Sequence, residues 1–426
     1  MKTQFTKLIP ALCALPMLSG AALADTLAIK ADAMVDVLKG SLISNPLVIV
    51  KDDKIIAVTS QSKGNIPADA KVIDLTGQTI LPGLMDMHTH LTSDADAHGY
   101  KGLAVSLPRA TLDGANNAQK TLLAGFTTVR NVGAPGFTDV ALRDAIKDGD
   151  VIGPRMYVSG PPLSITGGHC DSNLLPYEYH EKAQGVADGP WEVRAKIREN
   201  IKYGADVIKF CATGGVLSKG TKVGVQQYTQ EEMDALVAEA ARRGVTTAAH
   251  AHGTDGIKAA IKAGVTSIEH ASFLDDEAIK LAKKHGTYFS MDIYDTEYIL
   301  SEGEKAGFLE ESLAKERMTG KTQRDSFTRA VKAGVKMVFG TDAGVYPHGD
   351  NAKQFSRMVK FGMTPMQAIQ ASTINAATML KHDKELGSIS EGKQADIISV
   401  KGNPLDDISI LEQVKAVIKD GQVYKM

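Results

Sequence analysis

Two histidines one residue apart, His88 and His90, close the apolar run Ile80–Leu91 (ILPGLMDMHTHL). Alternate side chains of a strand share a face, so both imidazoles and Asp86 point to one side, as two ligands of one metal ion would. Further along, other apolar segments end in or carry residues of metal-binding type: Lys209 in DVIKF, His250 in VTTAAH, His270 in SIEH and Asp342 in FGTDAG. Taken singly, a histidine is more often a hydrogen-bonded core or surface group, and an aspartate before Ala-Gly a turn or cap residue. Taken together they are imidazole nitrogens and a carboxylate, a set suited to zinc that also accommodates manganese or cobalt. Lys209 stands out among them because Val207, Ile208 and Phe210 flank it. An ammonium is costly to bury there, so its pKa should fall. A neutral amine can add to CO2 and lose a proton, which turns a cation into an anionic carbamate with two ligating oxygens.

The elements that must position these residues alternate. Short β-rich runs (LPGLMDMHTHL, TTVRNVG, RMYVSGPPL, DVIKFCATGG, VTTAAHAHG, SIEHAS, TYFSMDIY, VKMVFGTDAG) are separated by amphipathic helical segments such as TQEEMDALVAEAARRG and DGIKAAIKAG. That order predicts an α/β fold, a (β/α)8 TIM-like barrel over residues 82–382, with the candidate ligands at the C-terminal strand ends where barrel active sites sit. An open doubly wound sheet lacks support, since no G-x-G-x-x-G follows the first strand. Residues 25–81 and 383–426 are short alternating strands with DDK, TG, EGK and DG turns, and predict a small β-sandwich domain built from both chain ends.

The ordered set His-x-His, Lys, His, His, Asp resembles the amidohydrolase superfamily in its binuclear, lysine-carbamate form, as do the stretches LPGLMDMHTHL, HAHGTDGIKAAIKAGVTSIEH, GTDAG and LGSISEGKQADIISV. Within it the chain is similar to metal-dependent prolidases, Xaa-Arg or Xaa-Lys carboxypeptidases and ochratoxin-type amidases, often grouped as imidazolonepropionase-like. The resemblance implies two divalent ions, with His88 and His90 on the more buried one and His250 and His270 on the other. Lys209 as carbamate would bridge them, and Asp342 would bind the buried ion. It also implies that a hydroxide shared by the ions attacks the scissile carbonyl, while Asp342 carries its proton to the leaving amine. Where the family pattern has glycine in GGHGD, this chain has Cys170, in TGGHCDSN.

The implied substrate is a dipeptide or N-acyl amino acid whose C-terminal residue is released. Its free carboxylate calls for donors near the metals, for which His169, Tyr228, His252, Arg130 and His348 are the candidates. The acidic stretch DIYDTEY would favour a basic side chain if it lined the pocket. Two other functions fit less well. A cyclic-amide hydrolase or deaminase would usually be mononuclear and would not use Lys209, and a periplasmic metal- or solute-binding protein would not need Asp342 as a proton carrier. No G-x-S-x-G supplies a serine nucleophile.

Bulk properties set the remaining limits. Lys and Arg number 48 against 50 Asp and Glu, which leaves no basic field for nucleic acid. Residues 1–24 have two lysines, a short apolar stretch and an AALA end, the form of a cleaved export signal. The mature chain would then be periplasmic or secreted, without a stable membrane anchor, and self-association into a homo-oligomer is compatible with the fold. Cys170 and Cys211 would be its two cysteines, free to pair in an oxidising compartment.

Overall fold

The structure, a computed structural model, describes residues 26–426; the expected export signal lies outside them. The strands in chain order are β1 (Thr26–Asp36), β2 (Ser41–Ser44), β3 (Pro46–Lys51), β4 (Lys54–Ser60), β5 (Lys71–Pro82), β6 (Leu84–Thr89), β7 (Phe126–Asn131) and β8 (Arg155–Val158). They continue with β9 (Val207–Cys211), β10 (Thr246–Ala251), β11 (Ser267–His270), β12 (Tyr288–Ser290), β13 (Met337–Val338), β14 (Ile397–Lys401), β15 (Ala416–Lys419) and β16 (Gln422–Lys425).

Strands from both ends of the chain join in one sheet, ordered β16-β15-β14-β5-β1-β3-β4, with β2 on β1. Hydrogen bonds link its strands in one continuous path, and the β1–β5 register shifts between Ala31 and Ala33. The β3–β4 hairpin turns through Asp52 at φ 54°, a conformation that the short polar side chain of Asp tolerates. Leu27, Ile29, Val48, Val50, Ile80 and Ile397 bury the apolar face of this sheet.

The middle of the chain folds into two parallel sheets, β6-β7-β8 and β13-β12-β11-β10-β9. Backbone bonds cross both seams between them. Asp206 N donates to Val158 O at 2.7 Å and Leu163 N to Lys209 O at 2.8 Å; on the other side Met87 N donates to Phe339 O and Asp342 N to His88 O, both at 2.8 Å. Helices follow most strands: α1 (Leu107–Leu123), α2 (Thr138–Asp148), α3 (Gly189–Lys202), α4 (Gln230–Arg242), α5 (Thr254–Ala263), α6 (Asp276–His285), α7 (Asp295–Ala306) and α8 (Glu310–Ala333), then the short α9 (Lys353–Lys360), α10 (Pro365–Ala371) and α11 (Ile374–Met379). The helix-end signals act as expected. Thr229 and Glu232 form a capping box at α4, and Gly264 ends α5 at φ 92°.

The seventh and eighth predicted strands are shorter than the apolar runs that suggested them. β13 is only two residues because Phe339 N bonds to Ala371 O and Asp342 N to His88 O, which draws the chain out of line with β12. The same departure places Asp342 at φ 55° over the sheet end.

Candidate metal centre

β6 delivers His88, fully buried, and His90 one step past its end. The Nε2 atoms of both converge on one oxygen of Asp342, at 3.1 and 3.0 Å. Asp86, on the same strand face, does not join them. Its carboxylate accepts Thr341 Oγ1 at 2.6 Å and Asn351 Nδ2 at 2.8 Å, and so clips β6 to the segment that carries Asp342. β9 delivers Lys209, 3% exposed, with Nζ 3.5 Å from His88 Nε2. Burial holds its pKa down to about 8. β10 and β11 bring His250, His252 and His270 together, with ring centroids 4.5 to 4.7 Å apart.

The hydrogen bonds behind these rings settle which nitrogen faces inward. His90 Nδ1 donates to Gly133 O at 2.9 Å, and His270 Nδ1 donates to Asp292 Oδ1 at 2.8 Å. Neither acceptor has a proton to give, so each Nδ1 carries a hydrogen and each Nε2 is the nitrogen turned towards the cavity, the arrangement seen behind metal-bound histidines. His88 Nδ1 lies 3.1 Å from Glu269 Oε2, angled off the oxygen. Burial and the neighbouring rings push His250 and His252 well below the ordinary histidine value, so both are neutral and able to ligate. Asp342 is held ionised against burial by His88 and His90.

These residues fit a metal-binding role. His88, His90 and Asp342 form one group with ligand atoms within 4.8 Å of one another, and His250, His252 and His270 form another. The Nε2 of His250 is buried without a hydrogen-bond partner. A buried acceptor left bare is costly unless an electrophile meets it.

A cavity of about 260 Å³ lies over both groups.

The comparisons follow the same lines. The sequence pattern of the "Amidohydrolase family" matches residues 79–424. This chain belongs to the amidohydrolase family. It is 36% identical over 405 residues to the ochratoxinase of Aspergillus niger, covering 88% of this chain and 82% of that one. A solved Xaa-Pro dipeptidase with methionine bound in its active site is 39% identical with a TM-score of 0.90, covering 94% of this chain and all of the other. An imidazolonepropionase of Fusobacterium nucleatum is 23% identical over 83% of this chain and 84% of its own length.

Among the candidate substrate-binding residues of this amidohydrolase, His169 and His252 line the cavity. His169 stacks on His250 at 4.0 Å and is bound through Nδ1 to Ser218 Oγ at 2.8 Å. The other three are committed elsewhere. Arg130 is 1% exposed beneath the site, where it donates to Glu269 Oε1, Ser267 Oγ and Met87 O. Tyr228 is wholly buried and its hydroxyl donates to Ala187 O. His348 donates from Nε2 to His90 O, behind the ligand. Cys170 and Cys211 are paired as a disulfide across 6.1 Å between Cα atoms, which takes both sulfurs out of metal binding.

Glu269, Glu316 and Gln323 were not singled out from the sequence, and Asp292 and Asp295 only as part of the acidic stretch DIYDTEY. Glu269 hides next to His270 in SIEH, and Asp292 carried one signal, an acid just past a strand end. Glu316 and Gln323 sit within a 24-residue helix and gave none.

Proposed function

We propose that this amidohydrolase cleaves the amide bond joining a C-terminal amino acid to an acyl group or to a second amino acid. The observation that carries the reading is the convergence of His88, His90 and Asp342 on one side, and His250, His252 and His270 on the other, with buried Lys209 beside them. The dipeptidase and ochratoxinase relatives support the amide class.

Two divalent ions, zinc by the nitrogen and oxygen character of the donors, would be held by His88, His90 and Asp342 and by His250 and His270, with Lys209 as its carbamate between them. When bound, such ions supply Lewis acidity and make water nucleophilic near neutral pH. The chain's own residues do the rest. Asp342, held ionised, accepts a proton from the attacking water and returns it to the nitrogen of the leaving amine. His169 and His252 offer donors to the carboxylate or carbonyl of the bound molecule. The cavity wall keeps bulk water from competing for those contacts.

Three further readings belong with this one. The two parallel sheets, bonded across both seams, support a (β/α)8 barrel; residues 1–24 support export to the periplasm or outside the cell; the chain could function as a homo-oligomer. Metal content by elemental analysis, measured beside turnover of dipeptides ending in Pro, Arg, Lys, Leu and Phe, tests the proposal. About two metals per chain, lost together with turnover in Lys209→Ala, is the expected result. One metal and no dipeptide cleaved would overturn it and favour cyclic-amide hydrolysis or deamination.

A further inference from the structure

One wall of the cavity is acidic and lacks a counter-charge. Asp295, the first residue of α7, and Glu316, on α8, both line the space above the ligands, and are 4% and 5% exposed. Asp295 Oδ1 has no hydrogen-bond partner. Glu316 Oε1 accepts only the hydroxyl of Thr296, at 2.5 Å. The nearby Asp292 is already taken up by His270 Nδ1 and by Gln323 Nε2 at 3.1 Å.

Cations close by are engaged elsewhere: Lys315 holds Ser218 O and Glu311, and Arg324 holds Ile293 O and Glu297. Among the described residues no Lys, Arg or His forms an ion pair with Asp295 or Glu316. Two carboxyl groups so deeply buried are a large cost to the fold if they serve nothing, because an apolar residue would fit the same volume more cheaply. Their value appears when a cation enters and finds acceptors already oriented and dehydrated.

We propose that Asp295 and Glu316 form a cation subsite, and that the substrate brings an ammonium or guanidinium group to it. This deepens the amide-hydrolase reading and rests on it. The cation has two sources in a dipeptide: the side chain of a basic residue, or the free α-amino group of the N-terminal residue. Burial favours the protonated form of both acids in the empty site, raising Glu316 to about 7 and Asp295 well above the usual carboxylate range. Asp295→Asn and Glu316→Gln therefore imitate the resting state, and the double variant should fold.

Three matched substrates separate the sources. N-propionyl-norleucine carries no cation, N-propionyl-lysine carries one on the side chain, and glycyl-norleucine carries one at the α-amino end with nearly the same shape. The metal-loaded enzyme should cleave one of the two cationic compounds with a kcat/KM at least tenfold above the neutral one. In the double variant that ratio should fall to within about threefold. Equal turnover of all three by the wild type, or a ratio that survives the double substitution, overturns the subsite. If neither these three nor the dipeptides ending in Pro, Arg, Lys, Leu and Phe are cleaved, the amide-hydrolase reading itself fails. Calorimetric binding of the same compounds then decides the subsite: tighter binding of a cationic one, lost in the double variant, upholds it, and equal affinities overturn it.

Discussion

At the scale of single residues, Glu269 shows how an unremarked side chain governs the candidate ligands. Wholly buried, it sits between Arg130 and His88, and although burial pushes its carboxyl up, Arg130 and His88 hold it ionised well below the ordinary range. Glu269→Gln would leave Arg130 with a buried, uncompensated charge and loosen the orientation of His88. We expect a loss of about 3 kcal/mol in stability and a 10- to 100-fold weaker hold on metal, read by thermal melting and by chelator competition. Unchanged metal affinity would show that Glu269 serves Arg130 alone. Glu316 has the opposite sign. Its folded pKa, about 7, lies above the value of 4.5 for a free glutamate. Its contribution to stability is therefore full below pH 4.5 and is lost as pH rises through 7. The melting temperature should fall between about pH 5 and 8 partly on this account, and Glu316→Gln should flatten that decline.

At the scale of elements, the site depends on where strands stop. His270 at φ 71° and Asp342 at φ 55° leave the sheet in the left-handed region just as they reach the cavity, so their backbones turn while their side chains stay above the strand ends. Such positions cost of order 1 kcal/mol and persist where the surroundings over-determine them. The Asp86 clip is one such restraint, since it ties β6 to Thr341 and Asn351 on either side of Asp342. Thr341→Val removes the hydroxyl that donates to Asp86 and leaves the shape intact. We expect a loss of about 1 to 3 kcal/mol, and weaker metal binding because Asp342 is less well held. A melting curve together with metal titration separates the two effects. At α4, Thr229→Ala removes a capping box whose Glu232 also receives Gly189 N at 2.7 Å. A stability loss of about 1 kcal/mol without change in metal content is expected.

At the scale of the whole molecule, the sheet formed from both chain ends is fastened to the parallel sheets through Arg155 on β8, which pairs with Asp396 at 2.7 Å and with Asp420. Replacing Arg155 with Met should lower the melting temperature while leaving the ligands in place, and a loss of bound metal would show the two parts to be coupled. Much of this organisation was legible in the chain. Metal-binding types on several strands or at their ends, helix-ending glycines and alternating strands at both termini depend on local periodicity, and periodicity is written residue by residue. That is why His88, His90, Lys209, His250, His270 and Asp342 could be read as one set. The partners were not legible. Arg130 and Tyr228 carry the chemistry of a binding residue, but only the packing of β7 against β11, and of Phe210 against Tyr228, decides that they face inward to protein. His348 likewise spends its donor on His90 O. The acidic wall joins Asp295 and Glu316, twenty-one residues apart on two successive helices with no shared motif. Sequence by itself determined the candidate ligand types and the order in which the strands present them, because both follow from local pattern. Tertiary structure alone decided which buried charges meet a partner and which are left facing the cavity, because pairing depends on distances that chain order does not record.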